Sequence, residues 1–265
     1  MTILLPEQAA ALRDLGSVCR ELGVDVVVIG ALAYRVWVRD DYRTTEDVDA
    51  AVTLDLHELS PLTGRLVARG WGQDPRLERR WHAPGGARVD LLPVGRKARQ
   101  EKQIVWPRGG TRMSVLGYEH VFHEAVDREL EPGLKVRIVP PTVLGLLKIV
   151  AYLDAPQIRE KDLQDLTVLM QRYEEDSDRR FGDEVLDAGV EYDEAGPYLL
   201  GRDLRTLCTA EDEVQAVERF LQRVCDPNFV VPIPVRRLPG LDEDHLARAF
   251  AALARGFRAP ARPKP

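Results

Sequence analysis

Asp47 and Asp49 stand two residues apart in Asp47-Val48-Asp49-Ala50-Ala51-Val52, a run of strand composition. On a strand, residues i and i+2 point to one face, so both carboxylates share a side and Val48 takes the other. Like charges held that close repel, and burying them is costly unless something positive sits between them. A divalent cation meets that need. Hard oxygen donors suit Mg2+, with Mn2+ as a second candidate. A further carboxylate, Asp90, interrupts the apolar run Val89-Asp90-Leu91-Leu92. Lys148 is the single charge in Val143–Leu153, a segment apolar nearly all round. A lysine there must snorkel, lose its proton or find an anion.

The elements around these residues follow from pattern. Val24–Ile29 reads as a buried strand ended by Gly30, and Ala31–Val38 as a short helix. A polar turn from Asp40 to Glu46 then leads into Asp47-x-Asp49. Before them, Pro6–Leu22 reads as a helix with Leu12, Leu15, Cys19 and Leu22 on one stripe and Gly23 at its end. His57–Trp71 reads as another helix. Residues 76–83 and 87–93 read as a β-hairpin across Pro84-Gly85-Gly86. On its second arm Arg88 and Asp90 share one face. Asp90 is either a solvent-facing strand residue or part of the site.

Residues 96–112 form the most basic window, with Arg96, Lys97, Arg99, Lys102, Arg108 and Arg112 against Glu101. It reads as a solvated loop or as a track for triphosphate or an RNA backbone, with Trp106 able to stack a base. Val121–Val139 reads as two strands, and Pro140-Pro141 as a domain boundary. Thr142 caps the helix of Lys148, and a second helix starts near Glu160. On it Asp162 and Asp165 share a face, and Lys161 and Asp165 lie four apart. Lys148 with Asp162 reads as a salt bridge that docks two helices or as part of a substrate site. Glu211–Val224 is amphipathic, 226–240 reads as a Pro-rich linker, and Asp242–Ala254 as a last short helix. The tail 255–265, with Arg255, Arg258, Arg262 and Lys264, reads as disordered.

Two stretches carry a family resemblance. Gly30-Ala31-Leu32-Ala33…Arg43-Thr44-Thr45-Glu46-Asp47-Val48-Asp49 resembles the nucleotidyltransferase superfamily of DNA polymerase beta and antibiotic nucleotidyltransferases. Within it the run looks most like the AbiEii group, the toxin half of a bacterial toxin–antitoxin system. Lys148…Arg159-x-Lys161-Asp162-x-x-Asp165-Leu166 resembles a second cluster of that group. The family's usual dipeptide is Gly-Ser or Gly-Gly. Ala31 here lacks the hydroxyl but keeps the backbone amide.

The resemblance implies an α+β fold. A mixed-sheet nucleotidyltransferase core flanked by helices would span 1–140, followed by a mainly helical domain at 141–240 and a short helix and basic tail at 241–265. It implies that Asp47, Asp49 and Asp90 hold two Mg2+ ions and that Asp90 takes a proton from the attacking hydroxyl. It implies that Gly30 and Ala31 offer backbone amides to the phosphates and that Arg43 and Lys148 neutralise the triphosphate. Lys161 and Asp162 join the substrate site, Asp162 by holding Lys148. The implied reaction is transfer of a nucleotide from an NTP to a hydroxyl, with RNA such as a tRNA 3′ end as acceptor and a cognate antitoxin as partner. The rivals are an aminoglycoside-like antibiotic nucleotidyltransferase, a protein-modifying one, and a non-catalytic nucleotide-binding module.

Composition sets bounds. With 265 residues, 45% hydrophobic and 30% charged, the chain reads as globular. No apolar run reaches the roughly 18 residues of a spanning helix, and the first residues do not read as a signal peptide. Cys19, Cys208 and Cys225 are odd in number and far apart, against a disulfide framework and in keeping with a cytoplasmic location. His120 and His123 are the one close histidine pair. A net charge of −6 opposes a generally basic coat, so nucleic-acid contact must come from a local patch.

Overall fold

A computed structural model describes residues 4–38, 45–238 and 242–260. They form two compact units, Met1–Pro140 and Pro141–Pro265.

In the first unit, α1 (Pro6–Leu22) buries Leu12, Leu15, Val18 and Cys19, and Gly23 closes it at φ +65°. β1 (Val26–Ile29) runs directly into α2 (Gly30–Val38). Gly30 makes that change of direction at φ +65°, a region that suits a residue without Cβ. β2 (Asp47–Val52) lies antiparallel to β1 with Ile29 opposite Asp49. Then follow α3 (Ser60–Ala68), β3 (Gly72–Gln73), β4 (Arg80–His82) and β5 (Arg88–Pro93). α4 (Arg96–Glu101), β6 (Gln103–Val105), β7 (Arg112–Ser114), α5 (Tyr118–His123), β8 (Val126–Glu131) and β9 (Leu134–Ile138) complete the unit.

Among the described residues, seven strands make one sheet in the order β3-β4-β5-β2-β1-β9-β8, and β6 with β7 forms a small separate ribbon. The sheet is mixed: β2–β5 and β1–β9 are parallel, the other pairs antiparallel. Its central strands bury Val27, Val28, Ile29, Val48, Ala50, Val52, Val89 and Leu91. Each such Val, Leu or Ile stabilises by about 1.5–3 kcal/mol. The C-terminal ends of β2 and β5 are tied together. Asp55, three residues past β2, accepts the N–H groups of Lys97 and Ala98, each at 2.9 Å, at the start of α4. Gly95 makes room, since a Cβ there would lie 2.5 Å from Asp55 Cγ.

Several sequence expectations change here. The first hairpin arm is shorter, because residues 76–79 turn: Asp74 accepts the N–H groups of Arg76 (2.8 Å) and Leu77 (2.9 Å). These bonds, with His82 after them, hold the Asp74 carboxyl down at about 2. Residues 96–112 are not one loop but α4, β6 and part of β7. Trp106 is 6% exposed, so it is core and not a stacking platform. Tyr118–His123 is helix, so the strand pair begins at Val126.

The second unit is helical: α6 (Pro141–Asp154), α7 (Glu160–Arg172), α8 (Asp183–Leu186), α9 (Tyr192–Leu207), α10 (Glu211–Val224), α11 (Ile233–Arg236) and α12 (Glu243–Arg258). Tyr152, Phe220 and Phe250 meet edge to face, with centroids 5.9 and 6.3 Å apart. α9 and α12 cross backbone to backbone. A Cβ on Gly201 would overlap Leu253 O, and one on Gly256 would overlap Tyr198 O. The segment expected as a linker holds α11, whose Val235 is buried, and Gln164 donates to Pro234 O at 2.8 Å. The described part of the expected 241–265 segment, residues 242–260, is not set apart: α12 is part of this unit and runs to Arg258. Arg258 pairs with Glu218 at 2.8 Å and Arg255 donates to Ala188 O at 2.5 Å, so neither belongs to a loose tail. Arg262 and Lys264 lie outside the described residues. No described helix is long and apolar enough to cross a membrane.

Candidate active site

Register builds a charged face on the sheet. Arg80 of β4 pairs with Asp90 of β5, which pairs with Asp49 of β2. Two residues along, His82 pairs with Arg88, which pairs with Asp47. Side chains in register on neighbouring strands share a face, so Asp47, Asp49 and Asp90 stand on one side of the sheet. Val48, Val89 and Trp81 point the other way into the core. Asp90 is buried, while Asp47 and Asp49 are half-buried.

Gly30 fixes where Asp49 lies. A Cβ at position 30 would overlap Asp49 Oδ2 and come within 2.7 Å of its Cγ. The carboxylate therefore rests against the first residue of α2, where helix N–H groups have no carbonyl of their own and favour negative charge. Ala31 is buried behind it.

The positive charge on this face comes from Arg88, which the sequence placed on the same face as Asp90, and from Arg79 and Arg80, which sequence reasoning did not single out. Arg80 Nε donates to Asp90 Oδ1 at 2.8 Å, and its Nη2 donates to Asp47 Oδ2 at 2.8 Å and to Asp90 Oδ2 at 3.2 Å. Arg79 Nε donates to Asp90 Oδ2 at 3.0 Å. Arg88 Nε lies 2.6 Å from Asp47 Oδ1, an ion pair by distance but off the hydrogen-bond direction. That oxygen is buried and has no aligned donor among the described residues. Arg88 also pairs with Glu46. The Arg80 pKa is raised, first by its hydrogen bond to Asp90 and then, against the cost of burial, by the charges of Asp90, Asp47 and Asp49. One guanidinium thus senses all three carboxylates. The repulsion inferred from sequence is relieved here by protein cations.

Among the described residues, no three His, Cys, Asp or Glu side chains stand grouped as a ready metal cluster. Arg80 instead spans Asp47 and Asp90. In donor chemistry the face still fits a divalent ion. It offers hard carboxylate oxygens on one side of a sheet, one of them buried without an aligned donor. Of the close histidine pair, His123 lies 3.3 Å from Glu119.

In the second unit, Lys148 is buried on α6 and donates to Asp162 Oδ1 at 2.7 Å and Asp165 Oδ2 at 2.6 Å, both on α7. Arg159 approaches Asp162 at 3.5 Å. The sequence foresaw the Asp162 pairing and left Asp165 outside the site. Asp165 is the more buried partner, at 1% exposure. Lys161 is exposed. Arg43 lies outside the described residues.

Comparison with known proteins places this geometry in context. The sequence matches the family described as nucleotidyl transferase AbiEii toxin, type IV TA system, over residues 13–260. No curated protein matches the chain. Among solved structures, it is similar to an antigenic nucleotidyltransferase-like protein from Paracoccidioides brasiliensis, at TM-score 0.44 and 16% identity over 63% of this chain and 77% of that one. It is also similar to ANT(2'')-Ia in complex with adenylyl-2''-tobramycin, at TM-score 0.40 and 10% identity over 71% and 96%. The tRNA-bound CCA-adding enzyme of Thermotoga maritima matches at TM-score 0.31 and 14% identity over 86% and 55%.

Proposed function

This chain belongs to the AbiEii nucleotidyltransferase toxin family of type IV toxin–antitoxin systems, and on that premise we propose that it transfers a nucleotide from an NTP to a hydroxyl of RNA, a tRNA 3′ end being the favoured acceptor. Asp47, Asp49 and Asp90 would hold Mg2+, or Mn2+ in its stead. Bound there, the metal supplies the positive charge that aligns the hydroxyl with the triphosphate. The hydroxyl oxygen attacks the α-phosphorus and forms a new P–O bond. The bond from the α-phosphorus to the bridging oxygen breaks, and its electron pair leaves with pyrophosphate. The hydroxyl proton passes to Asp90. The backbone amides of Gly30 and Ala31 at the start of α2 receive phosphate oxygens. Arg43 adds charge to the triphosphate, and Lys148, Lys161 and Asp162 are candidates for substrate contact.

The observation that carries this reading is the lateral row Arg80–Asp90–Asp49, with Asp47 two residues along and Gly30 shaped to admit the Asp49 carboxylate. An RNA acceptor is favoured by the exposed Arg96, Lys97, Lys102, Arg108 and Arg112, which give an acidic chain one local cationic stretch. The family implies a cognate antitoxin as partner.

The test is direct. Purified protein is incubated with each labelled NTP, Mg2+ and total RNA. Wild type should label RNA, and Asp49→Ala should not, with its far-UV spectrum and unfolding midpoint retained. Equal labelling by the two proteins would end the proposal.

A further inference from the structure

Arg80 occupies a position that chemistry reserves for a cation. It bonds Asp90 through both carboxylate oxygens and Asp47 through one, and it is itself 17% exposed. Its strand holds it there. Trp81 anchors β4 in the core, and the Asp74 turn just before it fixes where the strand begins. Around the face, Arg79, Arg80 and Arg88 form ion pairs with Asp47, Asp90 and Glu46, and Asp49 stands beside them in register with Asp90.

The bonds of Arg80 to Asp47 and Asp90 cannot survive a divalent ion at the same oxygens. A doubly charged cation between Asp47 and Asp90 would compete with Arg80 for the same oxygens and repel it at close range. The guanidinium then needs another anion, and an NTP brings one. Guanidinium groups bind phosphate oxygens in a two-pronged fashion, and a long arginine side chain can change partners without moving its strand.

We propose that Arg80 exchanges partners. In the metal-free protein it holds Asp47 and Asp90 together in place of the ion. When the ion enters, it turns to the polyphosphate of the NTP. This rests on the reading of the carboxylate face as a metal site, and the experiment separates the two.

Mn2+ binding is measured without nucleotide, by the electron paramagnetic resonance signal of the free ion, for wild type, Arg80→Gln, Arg80→Lys and Asp49→Ala. A nonhydrolysable NTP analogue is then titrated at saturating Mn2+. Arg80→Gln should bind Mn2+ about tenfold tighter than wild type, the scale on which groups behind a metal's ligands alter its affinity. It should also bind the analogue more weakly. A purely structural arginine would not raise metal affinity when removed. Arg80→Lys, which replaces the forked contacts with a point charge, should also bind Mn2+ tighter, and it carries the comparison if Arg80→Gln does not fold. Unchanged or weaker Mn2+ binding in the arginine variants, with binding lost in Asp49→Ala, overturns the exchange and leaves the metal site standing. Undiminished Mn2+ binding by Asp49→Ala removes both.

Discussion

Gly30 combines two constraints that no other described glycine meets together. Its φ of +65° disfavours a side chain, and the space a Cβ would fill already holds the Asp49 carboxylate. Gly30→Ala should therefore lose about 1–3 kcal/mol from backbone strain. It should lose nucleotidyl transfer more completely than stability, because the displaced group is a candidate ligand. Chemical denaturation and the RNA-labelling assay read the two effects separately, and an unchanged transfer rate would show that Asp49 tolerates the shift. Asp47, Asp49 and Asp90 were legible in the sequence because a carboxylate among strand-forming apolar residues stands out. Arg80 was not, since exposed arginines are common and its place depends on hairpin register. The signal was there in outline: Arg80-Trp81-His82 and Arg88-Val89-Asp90 alternate in step across Pro84-Gly85-Gly86. Only a fixed register turns that alternation into the Arg80–Asp90 pair. Trp106 misled for the opposite reason, because basic neighbours in sequence say nothing of which way an indole points.

α6 and α7 are joined through Lys148, Asp162 and Asp165, which have little exposure to water, and Arg159 approaches Asp162 from its exposed position. Removing the lysine takes from two buried carboxylates the cation that both of them bond. Lys148→Met should cost about 3–5 kcal/mol of stability, and replacing Asp162 and Asp165 by Asn in the same chain should restore much of it. A Lys148→Met protein that keeps its unfolding midpoint yet loses transfer would instead put the lysine at the substrate. Helices were the most readable elements. α1 and α10 have the bounds their apolar period gives, Pro6–Leu22 and Glu211–Val224. The stretch from Asp226 to Gly240 was misread because its prolines suggest extension. Pro234 instead sits in the first turn of α11, where a missing N–H costs nothing. Short strands such as β3 and β6 are too brief to show a period, and tertiary pairing alone defines them.

Across the whole chain, two thiols are sealed in cores. Burial pushes both Cys19 and Cys208 up to about 12, from an ordinary value of 9.0. Burial likewise raises the Tyr173 hydroxyl well above its usual range. A group whose folded pKa is raised leaves stability intact below its unfolded pKa and withdraws it above. Stability should hold to about pH 9 and then fall as pH climbs toward 12. Urea unfolding at pH 8, 9, 10 and 11 measures the slope, and Cys19→Ala with Cys208→Ala should flatten it. A slope indifferent to both substitutions would show that these thiols are not its source. The outermost strands of the first unit carry a different consequence. Every open sheet ends in backbone groups that could recruit a stranger's strand. At one end this sheet offers β3, two residues long. At the other it offers β8, studded with Asp127, Arg128 and Glu129 and broken by an irregularity between Glu129 and Glu131. Neither is a template on which copies of the chain could stack into fibres, so the sheet is closed to aggregation without being closed into a barrel.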